Sequence, residues 1–203
     1  MPTADFFAKL GIFVMGDFLD SELCSRISSE ALSVQKDELS VVDGYTLSER
    51  VKPDVRKTKS ALVSTDTTVL VQKRLESLLG GLQDHFTLPV SRCEMPQFLI
   101  YDEGDFFKPH ADAHDAVDKP GYIRSRKLSA VIFLNGQTSE PKEGCFSGGS
   151  LIFYGLVKDS RWSNYGFPLV GRPGLLVAFP SATVHEVSRV THGKRCTIVS
   201  WFS

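Results

Sequence analysis

Residues Leu175–Phe202 read LLVAFPSATVHEVSRVTHGKRCTIVSWF: three apolar, β-branched or aromatic runs, interrupted at Pro180-Ser181 and at Gly193-Lys194. Each run favours a strand, and each interruption is a turn signal. Leu175–Phe179, Val184–Val190 and Arg195–Phe202 are therefore predicted strands. Working back towards residue 90, the same texture recurs in Gln97–Tyr101, Lys127–Leu134 and Ser150–Tyr154. Many short strands with no helical periodicity between them predict a sandwich or jelly roll.

The first 90 residues read differently. A helix is predicted from Asp20 or Ser21, with Leu23, Ile27 and Ala31 on one stripe. A second begins near Thr65-Asp66 and carries Val71, Leu75, Leu78, Leu79, Leu82 and Phe86; Gly80-Gly81 is where it would break. Residues 37–62 read as short strands and loops. The expected architecture is a single domain over 1–203, mainly β with α. A helical part (1–90) packs on the outer face of a jelly-roll core (91–203).

Composition excludes several classes. At 203 residues, 42% hydrophobic and 23% charged, the chain can bury a real core. Lys+Arg number 23 and Asp+Glu 24, so no basic footprint for nucleic acid or an anionic membrane is present. No run approaches the roughly 18 apolar residues of a membrane helix, and the N-terminal Gly11–Met15 run is too short for a signal segment. Cys24, Cys93, Cys145 and Cys196 form no C-x-x-C pair, so reduced thiols in a soluble, cytoplasmic protein are expected.

The sharpest chemical feature is His110-Ala111-Asp112. On a strand, residues i and i+2 share a face, which would bring this imidazole and carboxylate together. His185 is the candidate third ligand. Two imidazoles and one carboxylate form a facial triad with open positions, the arrangement suited to non-haem Fe(II) oxygenases. Ten residues after His185 stands Arg195, on the same strand face as Thr197, Val199 and Trp201. An inward guanidinium needs an anionic partner, and a bound carboxylate would serve. Two His and one Asp also make a catalytic zinc set, but a zinc hydrolase has no need of the cation.

Four blocks together resemble the 2-oxoglutarate- and Fe(II)-dependent oxygenases, most closely their prolyl 4-hydroxylase-like branch. They are YDEGDFFKPHAD (Tyr101–Asp112), RKLSAVIFLN (Arg126–Asn135), Gly148-Gly149-Ser150-Leu151, and His185 followed by Arg195 and Trp201. The resemblance implies that His110, Asp112 and His185 bind Fe(II). It implies that Arg195 and the Tyr101 hydroxyl hold the distal carboxylate of 2-oxoglutarate, that Trp201 lines that end of the pocket, and that Arg126 contacts the substrate. O2 would be consumed and ascorbate would serve as reductant, with succinate and CO2 released as an unactivated C–H bond is hydroxylated. The substrate would be a prolyl or other amino-acid residue of a peptide or protein.

Departures qualify the prolyl reading. Prolyl 4-hydroxylases usually carry Lys where Arg195 stands, Tyr where Phe107 stands, and Gly-Gly-Glu-Thr where this chain has Gly148-Gly149-Ser150-Leu151. A small metabolite, or a non-catalytic jelly-roll sensor of metal and organic acid, stays open. Tyr101 and Trp201 also fit as core aromatics, and Arg126 as part of a solvated Arg124/Lys127 face. His114, His192, Asp105, Asp115 and Asp118 read as surface groups, and His85 as a helix cap. The 113–125 and 155–173 loops, with Tyr122, Trp162, Tyr165 and Phe167, are expected to border substrate entry. Oligomeric state has no signature.

Overall fold

The computed structural model describes residues 4–39, 41–42, 49–50, 52–113, 121–162 and 164–203. Its first part runs α1 (Ala4–Lys9), β1 (Phe13–Met15), α2 (Ser21–Ser33), β2 (Lys36–Glu38), β3 (Val41–Val42), β4 (Glu49–Arg50), β5 (Arg56–Lys57), β6 (Lys59–Ala61), α3 (Thr65–Glu76) and α4 (Leu79–Phe86). The remainder is β7 (Gln97–Tyr101), β8 (Phe106–His110), α5 (Gly121–Ser125), β9 (Leu128–Phe133), β10 (Phe146–Gly148), β11 (Leu151–Phe153), β12 (Phe167–Leu169), β13 (Leu176–Pro180), β14 (His185–Val187), β15 (Val190–Gly193) and β16 (Arg195–Phe202).

Two sheets make the jelly roll. A seven-stranded sheet has the order β1-β13-β9-β16-β7-β6-β2, and a five-stranded sheet the order β12-β11-β14-β8-β5. All pairings within both are antiparallel. Between the sheets lies a core of Val131, Phe133, Phe146, Leu151, Phe153, Val177 and Phe179. Alternation along β16 explains its two faces. Cys196, Ile198 and Phe202 pack outward against Leu23, Ile27, Ala31, Val71 and Leu75 of the helices. Arg195, Thr197, Val199 and Trp201 belong to the opposite face.

Helix ends follow their caps. Asp20 accepts from the Leu23 amide at 2.8 Å to start α2, and Ser64 accepts from Thr67 to start α3. The Glu30 carboxylate on α2 accepts from the Ser64 amide and the Thr67 hydroxyl, both at 2.6 Å, tying the two helices together. The second predicted helix does break, but at Ser77-Leu78 and not at the glycines; Gly80 and Gly81 lie inside α4, where a Cβ would meet nothing. His85 does not cap. Its ring packs edge-on against Phe13 and Phe86, while left-handed Thr87 closes the helix through its amide to the Gln83 carbonyl. No helix among the described residues is long and apolar enough to cross a membrane.

Candidate metal and cosubstrate site

The smaller sheet brings the two histidines together. His110 and His185 are direct cross-strand partners on β8 and β14, with ring centroids 4.3 Å apart. The register then slips, because Val187 pairs with Phe107, placing Lys108 and Pro109 opposite Glu186 alone. This bulge suits Pro109, which has no amide hydrogen to leave unpaired.

Asp112 arrives by another route than expected. β8 ends at His110, so strand alternation does not aim the carboxylate. Its amide, and that of Ala113, instead donate to the Ser181 carbonyl at 2.9 and 3.0 Å. The Ser181 hydroxyl in turn accepts from Ser129 at 2.9 Å, so a turn after β13 holds the last ligand in place.

Both imidazoles are fixed in one tautomer. A carbonyl can only accept, so Nδ1 of His110 donates to the Lys108 carbonyl at 2.8 Å and Nδ1 of His185 to that of Thr183 at 2.9 Å. In the neutral ring, each Nε2 carries a lone pair. They lie 3.6 and 3.7 Å from the Asp112 carboxylate oxygens, and the ligand atoms of all three residues lie within 4.8 Å of one another. Backbone carbonyls holding the second ring nitrogen are the usual way a metal-binding His is oriented. Burial, and next the neighbouring His185, push the His110 pKa down to about 3 despite Asp112. It is neutral and ready to ligate at physiological pH. For Asp112, burial opposes ionisation, but positive charge on His185 and His110, whenever either ring is protonated, and the Ser129 hydroxyl hold its pKa below the usual carboxylate range. The Trp201 indole contributes in the same sense; its Nε1 lies outside hydrogen-bond geometry and has no partner.

The larger sheet brings a cation to the same interior. Arg195 is 1% exposed and is the cross-strand partner of Tyr101. One guanidinium nitrogen donates to Thr197 Oγ1 at 3.0 Å, while Nε and the other terminal nitrogen are buried without a partner. Burial lowers the Arg195 pKa to about 10, which leaves it charged. Room for it depends on Gly149: at φ +57°, a Cβ there would stand 3.1 Å from Arg195 Cδ and 3.0 Å from Val190 Cγ2. An orphaned buried guanidinium on the inner face of one sheet, with two imidazoles and a carboxylate clustered by the other, fits Fe(II) with a dicarboxylic ligand.

The other expected residues divide. Tyr101 and Trp201 are buried at the site. Arg126 is not a solvated cation: it is bidentate to Glu94, at 2.9 and 2.8 Å, and its guanidinium carbon lies 3.6 Å from the Trp201 ring centroid. Asp105 is not solvated either; it is 1% exposed and paired with Lys57 at 3.0 Å, away from the triad. His192 is a surface group beside Glu103. Trp162 and Tyr165, which precede edge strand β12, form a ring cluster with its first residue Phe167, joined by Phe6 of α1. His114, Asp115 and Asp118 lie outside the described residues, as do the Tyr122 side chain and 114–120 of the first entry loop.

Sequence reasoning missed Ser181, Ser129, Glu94 and Arg56. The first three act by long-range pairing that no local pattern encodes. Arg56, the cross-strand partner of Phe107, sits within the 37–62 segment read as short strands and loops, and nothing local marks it.

Comparison with known proteins matches this geometry. A family profile described as the 2OG-Fe(II) oxygenase superfamily covers residues 96–203. A PKHD-type hydroxylase of Acinetobacter baylyi is 35% identical over 108 residues, covering 52% of this chain and 41% of the relative. One from Prochlorococcus marinus is 28% identical over 193 residues, covering 91% and 77%. The chain thus spans under half of the first relative and about three quarters of the second. Among solved structures, a Pseudomonas putida prolyl-4-hydroxylase superposes with a TM-score of 0.68 at 19% identity, over 98% of this chain and 95% of that one. A Trichoplax adhaerens prolyl hydroxylase, solved with a hypoxia inducible factor peptide fragment, gives 0.67 at 17%, over 98% and 86%. These two likenesses concern the fold. The profile spans every residue of the triad together with Tyr101 and Arg195, and so this chain belongs to the 2OG-Fe(II) oxygenase superfamily.

Proposed function

We propose that the protein is a dioxygenase in which His110, Asp112 and His185 hold Fe(II), and that it hydroxylates an unactivated C–H bond of an amino-acid substrate, proline first. The observation that carries this reading is the orphaned Arg195 guanidinium on the inner face of the larger sheet, combined with a preformed His-Asp-His cluster held by the smaller one. When bound, Fe(II) supplies the oxidation of 2-oxoglutarate by O2 to succinate and CO2 that drives the hydroxylation.

The chain's own residues do the rest. Lys108 and Thr183 carbonyls keep both Nε2 lone pairs aimed inward. Arg195 takes the distal carboxylate through its two unpartnered nitrogens, with the Tyr101 hydroxyl as a further donor. Thr197 holds the guanidinium in register, and Gly149 leaves it space. Trp201, clamped by the Arg126–Glu94 pair, closes the pocket and keeps water out. In this reading Arg126 acts on substrate as one side of that wall, and the whole of 1–203 serves as one domain.

The amino-acid substrate is supported by the PKHD-type relatives and by the peptide in the Trichoplax complex. Cytoplasmic residence belongs to the same proposal, supported by four free cysteines, as does ascorbate as reductant. The test is a panel of prolyl peptides, free amino acids and small acids incubated with Fe(II), 2-oxoglutarate and O2. Products are read by mass spectrometry for one added oxygen atom and by succinate release. Oxygen added to any amino-acid substrate in step with succinate supports the reading. Succinate release stimulated only by compounds that are not amino acids would remove the substrate assignment.

A further inference from the structure

Among the described residues, two guanidinium groups without a carboxylate partner border the site, and 2-oxoglutarate accounts for one of them. The other is Arg56, the first residue of β5, on the edge of the smaller sheet beside β8. Its guanidinium carbon stands 4.7 Å from the Phe107 ring centroid. That ring is stacked on the ligand His110, with centroids 3.5 Å apart and planes 16° from parallel. Arg56 Nε is buried with no hydrogen-bond partner. Among the described residues, no carboxylate stands within ion-pair distance of it. The groups that favour its charge against burial are the Tyr101 hydroxyl, which accepts a hydrogen bond from it, and the Asp112 carboxylate, both already assigned to cosubstrate and metal.

Arg126 shows what a satisfied arginine looks like in this pocket, because Glu94 meets its fork from within the chain. Arg56 has no carboxylate counterpart of this kind among the described residues. Charge counting says the same. Fe(II), ionised Asp112, Arg195, Arg56 and dianionic 2-oxoglutarate leave one positive charge over, with Arg126 and Glu94 cancelling. A partly buried surplus charge calls for an anion.

We propose that Arg56 binds a carboxylate carried by the substrate that is hydroxylated, so that the substrate is a free amino acid or a chain-terminal residue and not one inside a peptide. The inference deepens the oxygenase reading and rests on it. Phe107 offers the substrate's carbon skeleton an apolar wall next to His110, and Arg56 fixes its charged end at the rim of that wall. This chain has no hydroxyl at position 107 to satisfy the guanidinium instead. An internal residue would present only a neutral carbonyl there. Replacing the carboxylate by an amide should therefore cost about tenfold to a hundredfold in affinity, the range for a hydrogen bond to a charged group.

The experiment uses the full chain loaded with Mn(II) and 2-oxoglutarate, and calorimetric titration. The probes are free amino acids beginning with L-proline, acetylated dipeptides ending in the same residues, and the C-terminal amides of both sets. The expected result is that an acid binds and its amide binds at least tenfold more weakly. Arg56→Gln should bring the acid down to the level of the amide, and Arg56→Lys should keep part of the preference. The free amino acids and the dipeptide acids separate the two sources of the carboxylate. Binding of an amide as tight as its acid, absence of binding by every acid, or equal loss of acid and amide in Arg56→Gln would overturn the proposal. If Arg56→Gln does not fold, the acid-to-amide ratios of wild type and Arg56→Lys decide. Succinate formation by wild type without any second substrate tests the oxygenase reading alone, so its failure is distinguishable from failure at Arg56.

Discussion

The two sheets divide the labour of the site. The larger one is built from longer strands, with β16 pairing along β7 on one side and β9 on the other. It is covered outside by helices and inside by the core, and it contributes Arg195, Tyr101 and Trp201. The smaller one has short strands and a register slip between His185 and Val187, and it contributes His110, His185 and Arg56. Regular pairing places Arg195, the proposed dicarboxylate clamp, on a rigid wall. Irregular pairing places the proposed metal ligands where the backbone can turn out of the sheet to deliver Asp112. The comparison predicts that damage to the two sheets separates function from stability.

The largest effect should be on metal binding. Asp112→Ala should weaken Fe(II) or Mn(II) affinity by more than about a hundredfold, since even residues that only support metal ligands are worth 10–100-fold. Its thermal stability without metal should stay near that of wild type, because no apolar core contact is lost; calorimetric titration and a melting curve together check this. Unchanged metal affinity would place the ion elsewhere.

Next comes the outer face of β16. Ile198 is 0% exposed between the sheet and the helices. Ile198→Ala should cost about 2–5 kcal/mol in chemical denaturation, while the affinity of the folded molecule for 2-oxoglutarate hardly moves. A large loss of cosubstrate affinity would show that the two faces of the strand are not independent.

Arg195→Met sharpens the contrast in the opposite direction. Removing a buried cation with unmet hydrogen bonds should stabilise the apo-protein, by about 1–3 kcal/mol, and abolish selective binding of 2-oxoglutarate. Arg195→Lys should keep part of that selectivity. Destabilisation by Arg195→Met would mean that the cation is paired inside the chain.

The smallest effect concerns pH. The His110 pKa is depressed in the folded protein, so below about 6.5 the unfolded chain takes up a proton that the folded one refuses. Wild-type apo-protein should therefore lose stability relative to His110→Gln as pH falls from about 6.5 towards 4. Asp112 stays ionised in the folded state over that window, since its pKa is lowered. Melting curves of the two proteins across this range should diverge; parallel curves would show that His110 is not held neutral by burial.

How much of this was legible in the sequence follows the same division. The four central strands of the larger sheet announce themselves, because Gln97–Tyr101, Lys127–Leu134, Leu175–Phe179 and Arg195–Phe202 are runs dominated by apolar, β-branched and aromatic residues, and each is a strand with ends shifted by a residue or so. The helix stripes of Leu23, Ile27 and Ala31 were equally readable, and all three are buried. In the smaller sheet, Phe106–His110 carries Lys108 and Pro109 in a bulge, so its pattern is not strand-like, although H-x-D marked its end. β5, β10 and β12 are two or three residues long, too short for any periodicity. The triad and Arg195 stand out as candidates because side-chain chemistry and order along the chain name them. Ser181, Glu94 and Arg56 act through contacts set by folding: the Ser181 carbonyl reaches Asp112, and Glu94 reaches across 32 residues to Arg126.

The central claim is that His110, Asp112 and His185 on one sheet, and Arg195 on the other, hold Fe(II) and 2-oxoglutarate in one reaction centre. The direct measurement is succinate formed by the purified protein supplied with Fe(II), 2-oxoglutarate and O2. The same assay is run on Asp112→Ala and Arg195→Ala, and with pyruvate in place of 2-oxoglutarate. Succinate should form with wild type, vanish in Asp112→Ala, and require far more 2-oxoglutarate in Arg195→Ala, with pyruvate a poor replacement. Unchanged turnover in Asp112→Ala, or pyruvate consumed as readily as 2-oxoglutarate, would contradict the account.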